Sequence, residues 1–298
     1  IKNMITFLKT MQMFKDGIYD NIGIHEYHTD KEYISSSALK EAVKSLAHFD
    51  FYYKKPNERK SHFDFGNCFE LALMDVINCT NEFDKFVTIF DTDQRPETDK
   101  TMASNANKTW KESVLNTDKY IINKYGDESL ETMKLMLESC IKDSVINALI
   151  KNTDYQKSLF WTDKTTGLKI KTRPDVCKMT KSVIVDIKTT KDASPEKFAK
   201  DAANYQYPMQ AITQINGCIS TGLMKPDKYF WLAVEKTAPF NAQLYEFKKE
   251  DWQFMDDRYN YQLGLIKMAK DENKFPGYTQ RADNQHGILE LELPMWFK

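Results

Sequence analysis

Leu168-Lys169-Ile170-Lys171-Thr172-Arg173-Pro174-Asp175, followed after ten residues by Asp186-Ile187-Lys188-Thr189-Thr190, decides how this 298-residue chain is read. Ser158 to Thr162 is one apolar strand, Thr165-Thr166-Gly167 a turn, Leu168 to Asp175 a second strand, and the β-branched run Ser182 to Lys188 a third. Side chains alternate across a strand, so Asp186 and Lys188 share one side and Ile187 turns to the other. Asp175, ending the neighbouring strand, reaches the same spot. Two carboxylates suit a hard cation such as Mg²⁺ or Mn²⁺, which keeps several waters and completes its shell on substrate phosphate. A lysine beside them can orient or deprotonate an attacking water, or neutralise charge on a phosphorane, while the ion polarises the phosphoryl oxygen. An Asp and a Lys two apart on an exposed strand usually form only a solvated ion pair. Pro174-Asp175 on the adjacent strand, the β-branched approach to Asp186 and the Thr189-Thr190 exit favour the chemical reading, that of a nuclease.

Composition bounds the rest. Hydrophobic residues make up 41% of the chain and aromatics 13%, ample for the core of one large or two small domains. No apolar run is long enough for a membrane span, and Ile1 to Lys15 is broken by Lys2, Asn3, Lys9 and Gln12, unlike a signal peptide, so a cytoplasmic location is expected. Cys68, Cys79, Cys140, Cys177 and Cys218 lie far apart without a C-x-x-C pair, which argues against zinc, iron–sulfur clusters and a disulfide framework. Against 43 acidic residues stand 42 Lys and Arg, a net charge of −1, so any path for DNA must be a local basic patch. Arginine is scarce, and Arg173, beside the carboxylates, is the candidate for bidentate phosphate contact.

Ser35-Ser36-Ser37 before Ala38-Leu39-Lys40 starts a helix, where Ser35 and Ser37 can cap it or, with the free N–H groups, hold a phosphate. Phe65 to Met74 reads as a buried helix with one acid, Glu70, whose partner is either a metal ion or a salt bridge. Asp91 to Lys108 reads as a surface loop, and Glu128 to Lys151 has apolar residues at helical spacing. Pro195 opens a helical segment, and Tyr205 to Ile212 leads into another. Strands at Tyr229–Val234 and Gln243–Phe247 and a helix at Asp251–Lys270 follow. The fold class is α/β (α+β), a central mixed sheet flanked by helices. No internal repeat, P-loop or G-x-G-x-x-G pattern is present, and nothing near His25 and His28 completes a metal site.

These residues resemble the PD-(D/E)xK nuclease superfamily and, within it, the phage and prophage exodeoxyribonuclease VIII (RecE-type) family. The likeness runs through Tyr27-His28, Ile34 to Leu39, Gly66 to Met74, Ser158 to Trp161 and Thr166-Gly167. Its most specific part is Arg173-Pro174-Asp175 to Asp186-Ile187-Lys188 and on to Ser194, and it closes with Phe275 to Tyr278 and Leu291 to Trp296. The resemblance implies a restriction-endonuclease-like core in one nuclease domain spanning 1–298. Residues 1–60 would form a helical arm, 61–270 the catalytic core, and 271–298 an extension packed on it.

It further implies a Mg²⁺-dependent exonuclease, with Mn²⁺ able to substitute, that degrades one strand of linear duplex DNA from the 5′ end. The 3′ overhang would pass to a single-strand annealing protein. Such enzymes are ring-shaped homo-oligomers without membrane attachment, working in the cytoplasm of a bacterial host. Position by position, Asp175, Asp186 and the backbone carbonyl of Ile187 would be metal ligands and Lys188 the catalytic lysine. The chain departs twice from the pattern. Glu70 stands where the family's Gly-x-x-x-His helix carries histidine, an exchange that other branches of the superfamily make. Gln210-Ala211-Ile212-Thr213-Gln214 replaces Gln-x-x-x-Tyr, leaving Gln210 and the preceding Tyr207 as DNA-contacting candidates. An endonuclease or nickase of the same fold, or an inactive DNA-binding or assembly protein, are the alternatives.

Overall fold

The computed structural model describes residues 14–20, 22–55, 64–117, 119–278 and 291–293. The first half holds β1 (Gly17–Tyr19), α1 (Ile24–Thr29), β2 (Ile34–Ser35), α2 (Ser36–Lys44), α3 (Leu46–Lys54), α4 (Asp64–Asn78), α5 (Glu82–Phe86), β3 (Val87–Phe90), α6 (Asn105–Leu115), β4 (Tyr120–Asn123), α7 (Leu130–Lys142) and α8 (Ser144–Ile150). The second holds β5 (Asp154–Tyr155), β6 (Ser158–Thr162), β7 (Lys169–Thr172), β8 (Val176–Lys178), β9 (Val183–Thr190), α9 (Pro195–Asn204), α10 (Tyr207–Ser220), β10 (Lys228–Glu235), β11 (Ala242–Glu246) and α11 (Glu250–Asp271).

β9, six of whose eight residues are Val, Ile or Thr, pairs along its whole length with β10. It is the centre of a five-stranded mixed sheet ordered β11-β10-β9-β8-β5. Only β9 and β10 run parallel, joined by the α9–α10 crossover; the other neighbours are antiparallel. A four-stranded sheet, β1-β6-β7-β2, stands beside it. The larger sheet separates two apolar cores. Ile184, Tyr229, Trp231 and Ala233 meet Ile212 and Ile215 of α10 and Leu263 of α11 on one face. Val185, Ile187, Leu232 and Val234 meet Phe69 and Leu73 of α4 and Met133 of α7 on the other.

Three expectations are corrected. The strand expected over Leu168–Asp175 is two strands: the chain leaves the four-stranded sheet after Thr172 and joins the five-stranded one at Val176. Pro174 at the break has no N–H to give a ladder. The apolar spacing over Glu128–Lys151 covers two helices, because Asp143 caps the second by accepting from the N–H groups of Val145 and Ile146 at 2.8 and 2.9 Å. The loop at Asp91–Lys108 is pinned as well as polar. Arg95 stacks on Phe90 and Trp110, and the fully buried Asn107 bonds Arg95 and the carbonyls of Asp99 and Thr101; α6 already starts at Asn105.

Of the expected arm and extension, residues 1–13, 21, 56–60, 279–290 and 294–298, including Pro294-Met295-Trp296, lie outside the described residues. Within them, Phe275 stacks on Phe49 of α3 and Ala47 N–H donates to the Pro276 carbonyl at 3.1 Å. No helix among the described residues is long and apolar enough to cross a membrane.

Candidate active site

Alternation along β9 places Ile187 in one core and Asp186 and Lys188 toward α10 on the opposite face. Asp186 is wholly buried, 0% exposed, and forms an ion pair with Lys188. Its Oδ1 accepts from both Gln210 (2.8 Å) and Gln214 (3.3 Å), one turn apart on α10. Its Oδ2 meets the Lys188 ammonium.

Asp175 sits in the gap between the two sheets. β8 pairs with β9 only as far as Val185, so the edge of β9 beyond it is open. There the Asp175 Oδ2 accepts the Ile187 N–H at 2.7 Å. A strand residue directs its N–H and C=O to the same side, so the Ile187 carbonyl is offered at this edge too. Glu70 arrives from α4. Gly66, one turn earlier, packs against β9: a Cβ there would stand 3.4 Å from the Thr189 Oγ1. Gln156 bonds the Glu70 carboxyl and gives its own N–H to the Asp175 carbonyl at 3.0 Å, from a left-handed backbone at φ 50°.

The electrostatics follow from this crowding. Burial first, then the charge of Asp186, raises the Asp175 carboxyl to about 7, against relief from Lys188 and the Ile187 N–H. Burial and the two aspartates raise Glu70 well above the usual carboxylate range. Burial alone would lower the Lys188 ammonium, but Asp186 and Asp175 outweigh it and hold the pKa above that of a free lysine. Its Nζ also lies 5.1 Å from the centre of the Tyr207 ring.

Among the described residues no three His, Cys, Asp or Glu side chains stand as a ready-made metal cage. The reason is visible: Asp175 is turned to a backbone N–H and Asp186 to Lys188 and two amides. The donor set nevertheless fits a hard divalent cation. Three acids crowd one lysine, and burial and mutual repulsion raise two of them.

Asp175, Asp186, Lys188, Glu70, Gln210 and Tyr207 therefore come together. Arg173 feels the charges of Asp175 and Glu70, but its own hydrogen bonds run away from them. Its guanidinium donates to Ser158 Oγ (2.9 Å) and the Ile22 carbonyl (2.7 Å) and lies over the Tyr27 ring. Ser35 caps α2, accepting the Ala38 N–H at 3.2 Å, and is buried, whereas Ser37 is exposed. Sequence reasoning missed Gln156, which no motif marks, and the part played by Gln214. Its Oε1 accepts the Tyr229 hydroxyl at 2.7 Å, so a tyrosine from β10 extends the network behind Asp186. It also missed Tyr205, 60% exposed and stacked on Tyr207 with centroids 5.8 Å apart.

Residues 35–286 match the sequence profile of the PDDEXK-like domain of unknown function (DUF3799). No curated protein sequence matches the chain. Among solved structures, a protein of Eubacterium rectale described as a "Putative exonuclease" superposes with a TM-score of 0.58 at 11% identity, over 94% of this chain and 98% of its own. The structure of SSO0001 overlaps 68% of this chain and 86% of its own at 13% identity, but its TM-score of 0.27 is too low to carry an argument.

Proposed function

Since the chain belongs to the PDDEXK-like domain family, we propose that it is a metal-dependent nuclease that hydrolyses phosphodiester bonds of DNA at the Asp175–Asp186–Lys188 constellation. One observation carries the reading: a lysine and two aspartates, buried together where a strand edge opens, with a third acid delivered by a helix. Asp175, Asp186, Glu70 and the Ile187 carbonyl would hold Mg²⁺, or Mn²⁺ in its place. Bound there, the ion would supply Lewis-acid polarisation of the phosphoryl oxygen and a more acidic water.

The chain's own groups do the rest. Lys188, held charged by Asp186 and Asp175, acts as a donor and countercharge at the developing phosphorane. Gln210 and Gln214 fix the plane of the Asp186 carboxylate, and Tyr229 fixes Gln214. Gln156 steadies Glu70. Tyr205 and Tyr207 offer a stacked pair on which an unpaired base can lie.

The finer reading is an exonuclease of the exodeoxyribonuclease VIII type. It degrades one strand of linear duplex, 5′ to 3′, as a ring homo-oligomer in a phage-encoded recombination system in the bacterial cytoplasm, and hands a 3′ overhang to a single-strand annealing protein. Its support is the motif set of the sequence. Linear and covalently closed duplex, each with Mg²⁺ or EDTA, test it together. Loss of linear DNA alone, abolished by EDTA, is expected; cutting of closed circles would make the protein an endonuclease or nickase, and no cleavage of either would leave a binding or assembly protein.

A further inference from the structure

Lys40, on α2, points its Nζ at the Gln210 Oε1 from 3.3 Å, while the Nε2 of the same amide donates to Asp186. Charge-assisted bonds are usually nearer ~2.8 Å, and this acceptor is neutral. Four other partly buried lysines have carboxylates, Lys124 with Asp91, Lys157 with Asp20, Lys169 with Glu32 and Lys236 with Glu128, while the buried Lys171 and Lys178 each reach two backbone carbonyls. Among the described residues no carboxylate forms an ion pair with Lys40. A half-buried ammonium held only by an amide is incompletely compensated. Burial and the repulsion of Lys188 depress its pKa to about 8, so it is still mostly charged at neutral pH.

A count of formal charges favours an anion as the partner of Lys40. Were a divalent cation bound there to ionise Glu70 and Asp175, whose carboxyls burial otherwise raises, then the three acids, the ion and Lys188 would form a neutral set. Lys40 is then the surplus positive charge beside it, equal and opposite to one phosphodiester. Gln210 bridges Lys40 and Asp186, and Lys40 feels the charges of both Asp186 and Lys188, so the two lysines share one electrostatic site.

Resting on the nuclease reading, we propose that Lys40 is a substrate-binding residue that holds a non-bridging oxygen of the DNA backbone at the cleavage site. It acts as a point charge, so it contributes affinity on every sequence alike. A residue that served only to brace Gln210 would affect cleavage without changing how binding responds to salt.

The test compares the parent with Lys40→Met and Lys40→Arg, using full-length protein and one linear duplex. Binding is measured in Ca²⁺ at several salt concentrations, and cleavage in Mg²⁺. Lys40→Met should bind several-fold more weakly, and the slope of log affinity against log salt should shallow by about 0.9, the share of one phosphate contact. Lys40→Arg should keep the parental slope. An unchanged slope in folded Lys40→Met, or the same loss in Lys40→Arg, would overturn the assignment even if the parent cleaves DNA normally. Should Lys40→Met fail to fold, Lys40→Gln, which keeps much of the stem, is read by the same criterion. A parent that neither binds nor cuts DNA would instead overturn the nuclease reading, and this one with it.

Discussion

Asp186 is the residue on which most of the site converges, and its burial separates two effects that the sequence merged. Asp186→Asn should lower cleavage on the order of 10²–10³-fold, the usual worth of one well-placed electrostatic group. Lys188→Ala should do the same and also destabilise the metal-free protein by about 3 kcal/mol, because a buried carboxylate loses its countercharge. Thermal melts in EDTA and in Mg²⁺ check this, and Mg²⁺ should restore part of the loss. Glu70→Gln should weaken Mg²⁺ binding in a calorimetric titration, while Glu70→His should keep partial activity, better with Mn²⁺. Normal affinity and cleavage in Glu70→Ala would make Glu70 only a buried partner of Gln156.

Lys171 gives a pH signature away from the site. It is 2% exposed, gives its ammonium to the carbonyls of Tyr27 and Asp30, and burial lowers its pKa to about 8. A base depressed in the fold is protonated more in the unfolded chain, so its effect on stability becomes more favourable as pH rises from about 8 towards the free-lysine value near ~10.4. Over that window it contributes a positive slope of up to about 1.4 kcal/mol per pH unit. Denaturation at pH 8, 9 and 10 should show this component disappearing in Lys171→Met; identical slopes in the two proteins would refute it.

At the scale of elements, α10 delivers the two glutamines only because it lies close to the four-stranded sheet. Gly217 makes that approach possible: a Cβ there would meet the Thr172 Cγ2 at 2.7 Å and the Trp161 ring at 3.0 Å. Gly217→Ala should therefore destabilise by about 1–3 kcal/mol and lower activity by shifting Gln210 and Gln214. A denaturant midpoint equal to the parent's would refute the close-contact argument. The parity of β9, the turn after Thr162, the α10 and α11 segments and the acid on α4 were all legible, since each depends on residues near in sequence. The division at Arg173–Pro174 was not, because alternation continues unbroken through a change of sheet. Nor was the Asp143 break, since one helical phase spans α7 and α8. Lys40 and Gln210 are 170 residues apart, and Tyr229 reaches Gln214 from a different element, so these contacts exist only once the sheet and helices have packed.

For the molecule as a whole, a net charge of −1 hides a local pairing of cations with the site, while Lys171 and Arg173 are consumed internally. The two cores that flank the larger sheet also hold different parts of that site. Glu70 belongs to the α4 side, Gln210 and Gln214 to the α10 side, and Asp175 to the short crossing between sheets. The assembly works like a gauge clamped in two jaws: if either jaw slackens, the reading is lost before the instrument falls apart. Local opening costs less than global unfolding. On slow heating, cleavage should accordingly fail several degrees below the main melting transition, with hydrogen exchange at Ile187 rising first, because its amide is held by the Asp175 side chain alone rather than by a neighbouring strand. Activity that persists up to the melting transition would show that the two jaws loosen as one.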